Sequence, residues 1–170
     1  LTVLVFGNKS LVKEVVNLVK KYGTMSNNFT VAFASSIFKS VEELIEEVGN
    51  KSVDRKLLKK CIKYGRDEPN VSARVLTVHY SKGLEFSRVR LGDDFVSLIN
   101  QPKNENDSTW EHIVGSRKYN KNKIIGPIPT SIGNNDDTRI NLWYVAVTRA
   151  KHELQMNKKY SEFLNISNYY

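Results

Sequence analysis

A single cysteine, Cys61, stands among 170 residues, which excludes an internal disulfide framework. So sparing a use of thiols suits a reducing compartment. The three histidines, His79, His112 and His152, are too scattered to form a metal site, and none is expected. Apolar runs are short. None approaches the ~18 uninterrupted residues of a membrane span, so no membrane partner is expected. The opening, Leu1 to Phe6, has neither a basic segment nor a small-residue cleavage site, which points away from secretion. It also begins on leucine, so a longer parent polypeptide is expected. Acidic residues are in deficit: 18 Asp and Glu face 26 Lys and Arg, a net charge of +8. That excess suits a polyanionic partner, nucleic acid or nucleotide, without requiring one. With 40% apolar and 26% charged residues, the chain has the composition of one folded globular domain.

Apolar patterning alternates between strand and helix. Thr2 to Phe6 reads as a buried parallel strand, followed by a turn at Gly7 to Lys9 and a helix capped by Ser10 running to about Lys20. Phe29 to Ala34 is a second strand. Ser40-Val41-Glu42-Glu43 forms a capping box ahead of a helix through Glu47. Ser52 to Tyr64 reads as one further helix, strongly basic on its exposed side. Arg74 to His79 and Phe86 to Leu91 are strands around a loop at Tyr80 to Glu85. Residues 100–137 are poor in apolar residues and rich in Asn, Lys, Pro and Gly, so a long mobile insertion is expected there. A helix over Thr138 to Ala150, a strand over His152 to Asn157 and a short helix over Ser161 to Asn165 close the chain. Strands separated by helices predict an α/β domain with a mainly parallel sheet flanked by helices.

Two segments carry chemistry. Thr77-Val78-His79-Tyr80-Ser81-Lys82-Gly83-Leu84-Glu85 places a hydroxyl, an imidazole, an ammonium, a glycine and a carboxylate just past a strand. In open α/β sheets ligands bind beyond the carboxyl ends of strands. Lys82 offers a point charge for phosphate, Gly83 admits close backbone approach, and Glu85 can accept from a ribose hydroxyl. In isolation the same residues also read as solvated loop charges around a turn. The second segment is Tyr144-Val145-Ala146-Val147-Thr148-Arg149-Ala150-Lys151. Its helix reads as apolar on two faces and therefore buried, so that Arg149 emerges from a rigid element to pair with a carboxylate or meet an incoming anion. The plain alternative is that Arg149 caps the carboxyl terminus of its own helix.

Taken together and in this order, the two segments resemble motifs V and VI of superfamily 1 DNA helicases of the UvrD/Rep/PcrA type. Leu91-Gly92-Asp93-Asp94-Phe95-Val96 is most similar to the F-box DNA helicase branch. The resemblance is strong over 74–157, whereas Thr2 to about Val48 matches only as a pattern. It implies that 1–170 is the second RecA-like domain, of P-loop NTPase type, in an ATP-dependent enzyme moving 3′→5′ on single-stranded DNA in repair or recombination. Carried over by position, Arg149 is the catalytic arginine finger, and Lys82, Gly83 and Glu85 join it in binding ATP. Thr77 and His79 fall on the DNA side. The F-box likeness implies the nucleus.

The sequence departs from the family at Phe6, where an arginine usually ends the first strand, and at Arg139, where an acid is usual. It contains no Gly-x-x-x-x-Gly-Lys-Ser/Thr loop and no acidic Mg²⁺-binding strand motif. The resemblance assigns both, with the Mg²⁺, to a separate first RecA-like domain, the expected partner of this one, so the segment alone is expected to be inactive. The alternative is a degenerate helicase remnant that binds DNA or protein without hydrolysing nucleotide. An intact phosphate loop upstream would favour the motor.

Overall fold

The computed structural model describes residues 1–49, 53–95 and 136–156. Its six strands form one all-parallel sheet: β1 (Thr2–Val5), β2 (Val31–Ala34), β3 (Ile62–Tyr64), β4 (Ala73–Thr77), β5 (Phe86–Leu91) and β6 (Ala150–Gln155). Their spatial order is β3-β2-β4-β1-β5-β6. Among the described residues five α-helices connect them: α1 (Asn8–Leu18), α2 (Val41–Val48), α3 (Arg55–Cys61), α4 (Val78–Ser81) and α5 (Asp136–Val147). The predicted α/β class, a parallel sheet flanked by helices, is what the chain adopts.

Strand alternation builds two cores. Val3, Val5 and Val75 belong to one cluster with Leu11 and Val15 of α1, Leu44 of α2 and Leu58 of α3. Leu4 and Leu76, one residue out of phase, belong to the other, with Val78, Phe95 and Ala146. Successive side chains of a strand point to opposite faces, so a continuous apolar run such as Thr2–Val5 fits only a central strand covered on both sides. All four of its residues are buried.

Several boundaries differ from the sequence reading. The cap of α1 is Gly7, without a side-chain bond, and Ser10 lies inside the first turn. A π-helical turn, Val19–Gly23, extends α1. At α2 the Ser40 hydroxyl accepts from the Glu43 amide (3.2 Å), while the Glu43 carboxylate accepts from Lys39 N–H (2.7 Å), one residue earlier than a capping box requires. The predicted 52–64 helix stops at Cys61, and Ile62–Tyr64 is an edge strand. His79 belongs to α4, not to the strand before it. The last helix ends at Val147, three residues early, and β6 starts at Ala150. The predicted insertion up to residue 135 and the Ser161–Asn165 helix lie outside the described residues.

Candidate functional site

The expected site residues fall at two opposite rims of the sheet. Thr77 ends β4 level with Val5, at the carboxyl ends of the central strands. The chain then runs back across the sheet through α4 and a short loop, so that Glu85 arrives at the amino end of β5, where Phe86 pairs with Ala150 of β6. Lys82, Gly83 and Glu85 therefore do not lie at a carboxyl-end crevice as their position after β4 implied. They lie beside the connection from α5 to β6, and Arg149 is in that connection.

The α5 helix is less enclosed than its sequence implied. Among its described side chains only Ala146 is fully buried, and Tyr144 is about half exposed (49%). Arg149 sits two residues past its end. The Nε–H donates to the Val145 carbonyl (3.0 Å), one Nη to the Leu84 carbonyl (3.0 Å) and the other to Thr148 Oγ1 (3.1 Å). The Thr148 hydroxyl in turn donates within α5, lying 3.0 Å from the Tyr144 carbonyl and 3.1 Å from that of Val145. One bond thus satisfies the helix terminus, and another ties the guanidinium to the Lys82–Glu85 loop. No carboxylate among the described residues pairs with it, so its charge is held in place and not neutralised.

Around this half-buried cation the loop supplies complementary groups. Lys82 is exposed. Gly83 has φ +81°, a left-handed conformation that favours glycine, and a side chain there would meet nothing within 4 Å. The loop is held by Leu84 N–H donating to the Ser81 carbonyl (3.0 Å) and Phe86 N–H donating to the Arg149 carbonyl (2.8 Å). Glu85 is paired at 3.2 Å with Lys151, both more than half exposed. An exposed pair of this kind is worth only about 0–1 kcal/mol, so a hydroxyl-bearing ligand can compete for the carboxylate. Farther along β6, hydrogen bonds from the Gln155 amide and then the Arg88 guanidinium hold the Glu153 carboxyl below its ordinary range. The rim can receive a phosphate-bearing, hydroxylated ligand. Among the described residues no three His, Cys, Asp or Glu gather to hold a metal ion.

The carboxyl-end rim is different in kind. Thr77 is 3% exposed, and its Oγ1 is buried without a hydrogen-bond partner among the described residues. Asn8, which opens α1 three residues past Val5, has Oδ1 in the same condition. Unsatisfied buried polar atoms cost about 1–3 kcal/mol each, a cost an incoming polar ligand would relieve. His79 is exposed two residues on. Two residues before Asn8, Phe6 packs against the second core, its ring edge-on to Phe95 at 6.2 Å. Sequence reasoning missed the pairing of Lys151 with Glu85 and the Leu84 carbonyl that anchors Arg149. Lys151 adjoins the arginine in sequence, but the carbonyl is 65 residues away and leaves no sequence signal.

The family model that matches this chain is the UvrD-like helicase C-terminal domain, over residues 12–161. No curated protein matches it.

Proposed function

The chain belongs to the UvrD-like helicase C-terminal domain family, and from that premise we propose that it is the C-terminal motor domain of an ATP-dependent 3′→5′ DNA helicase. One observation carries the reading. A guanidinium without a carboxylate partner among the described residues is fixed at the same rim as Lys82, Gly83 and Glu85. Arg149 is the arginine finger, which neutralises charge developing during phosphoryl transfer, an effect worth ~10³–10⁵ in other nucleotide hydrolases. Lys82 adds a second positive charge toward the phosphates, Gly83 leaves the backbone accessible, and Glu85 accepts from the ribose. ATP supplies the transferable phosphoryl group, and Mg²⁺ is held by the N-terminal RecA-like domain of the same parent chain. Thr77 and His79, joined by Asn8, meet single-stranded DNA at the other rim, where the Thr77 hydroxyl and Asn8 carbonyl, without a partner among the described residues, suit a hydrated backbone. DNA repair or recombination in the nucleus is the setting we propose. In the complete protein, Arg149→Ala abolishes DNA-stimulated ATP hydrolysis while nucleotide binding persists. Near-normal turnover would overturn the finger assignment.

A second reading draws on Phe6. With its ring packed against Phe95, this position offers no charge to a phosphate. A non-hydrolysing DNA- or protein-binding remnant is therefore the alternative, and a wild-type protein without DNA-stimulated ATP turnover would favour it.

A further inference from the structure

Neither rim involves a lysine-rich part of the described surface on α3 and the end of α1. Within α3, Leu58 and Cys61 are buried and Leu57 packs against the first core, leaving Lys56, Lys59 and Lys60 on the opposite, exposed side. The π-helical turn at the end of α1 is set directly against this helix. A Cβ placed on Gly23 would stand 3.0 Å from the Cys61 sulfur and 3.8 Å from Leu57 Cδ1. The turn brings exposed Lys20 and Lys21 alongside, and Lys60 reaches across to Asn27 (3.2 Å). Lys13, also exposed, lies on α1 about two turns before Lys20. None of these six lysines forms an ion pair among the described residues. The neighbouring α2 instead exposes Glu42, Glu43, Glu46 and Glu47, so the surface is sharply polarised.

We propose that this lysine face binds the phosphate backbone of duplex DNA, as a contact separate from the motor cleft. Charge complementarity selects a polyanion, and among the described residues the partly exposed ring beside these lysines, Tyr22, is already engaged, which favours a duplex over a single strand. Single strands are gripped through aromatic rings on which bases stack. The aromatic here, Tyr22, already has Lys21 Nζ 5.1 Å from its ring centroid and Phe29 at 5.4 Å. A duplex keeps its bases stacked and offers regularly spaced phosphates, which lysines read as point charges. The acidic α2 repels the same backbone and confines it to the lysine side. The proposal rests on the reading of the chain as part of a DNA helicase.

The test uses the full-length protein and the triple variant Lys56→Gln/Lys59→Gln/Lys60→Gln, glutamine being nearly as good a helix former as lysine. Fluorescence anisotropy measures binding to a labelled blunt duplex and to an oligothymidylate across a salt series, with single-strand-stimulated ATP turnover as a separate readout. Loss of three phosphate contacts flattens the duplex log K against log salt slope by about 2.7. From 50 to 200 mM salt the wild type then loses about 40-fold more duplex affinity than the variant. Oligothymidylate binding and ATP turnover stay at wild-type values. An unchanged duplex slope overturns the proposal, and so does an equal weakening toward both DNAs, which marks a general loss of charge. A wild type without ATP turnover counts against the motor reading alone, because the duplex measurement stands independently of it.

Discussion

The joint between β1 and the segment after β5 invites the most direct test of how the carboxyl-end rim is built. The Asp94 Oδ2 atom accepts from the amides of Phe6 (2.8 Å) and Gly7 (2.9 Å), and Gly92 N–H donates to the Leu4 carbonyl (2.7 Å). One carboxylate thus satisfies the two amides between the end of β1 and the start of α1, which lack strand or helix partners. Bonds to a charged acceptor are worth about 1.5–3 kcal/mol each, and two that share one partly buried oxygen contribute less than their sum. Asp94→Ala should therefore cost about 3 kcal/mol, whereas Asp94→Asn, which keeps a neutral acceptor of the same shape, should cost about 1 kcal/mol. Gly92→Ala strains the same joint differently. Its new Cβ would stand 2.8 Å from Val5 Cγ1 and 3.3 Å from the Leu4 carbonyl, an overpacking that costs about 1–3 kcal/mol. Equilibrium urea unfolding, at unchanged m-value, measures all three, and the Gly92→Ala/Asp94→Ala double variant should lose less than the sum. An Asp94→Ala variant within ~0.5 kcal/mol of wild type would refute the reasoning, since that is the scatter of ordinary surface substitutions.

Three smaller effects follow from the same structure. At Gly83, φ +81° with open space around it makes the penalty purely one of backbone: Gly83→Ala should cost about 1 kcal/mol in urea unfolding, and Gly83→Asn less, because asparagine tolerates left-handed geometry. Lys151→Gln removes a pair in which both partners are more than half exposed, and should change stability by less than ~0.5 kcal/mol, the difference vanishing in high salt. Burial raises the Cys61 thiol pKa, against a smaller opposing effect of Lys60. The folded state therefore keeps its proton where the unfolded chain loses it. Stability from this group is fully present below the ordinary thiol range and declines as pH rises through and above it. The wild type should lose more stability than Cys61→Ala between pH 7 and pH 10, and equal losses would contradict the burial.

Local pattern made most of the sheet legible. Thr2–Val5, Val31–Ala34, Ala73–Thr77 and Phe86–Leu91 are apolar enough to declare themselves as strands, and period-two alternation divides their side chains between two cores. The edge strand Ile62–Tyr64 hid because Leu58, Cys61 and Ile62 continue a helical spacing, and only Ile62 of its three residues is buried. Strand pairing with Val31–Phe33 overrode that spacing, a tertiary effect no window of sequence contains.

The sites divide along the same line. The motif resemblance grouped Lys82, Gly83 and Glu85 with Arg149, and the fold brings them to one rim, but which rim that is was not readable. Chain order places residues 82–85 after β4 and is silent on how far the chain travels before β5 begins. The return of that segment across the sheet, fixed by Phe86 pairing with Ala150, separates the Arg149 cluster from Thr77 and puts the length of β5 between them. Rise along a strand is about 3.3 Å per residue, so the six residues Phe86–Leu91 span about 20 Å. Phe6 belongs to the Thr77 end of that span. Its amide is committed to Asp94 and its ring to Phe95, so restoring an arginine there would place a guanidinium in an apolar cluster, remote from the rim that holds Arg149. Under the proposed motor function, contact with the nucleotide phosphates falls, among the described residues, to the rim that holds Lys82 and Arg149, and Arg149→Ala is the variant that decides it.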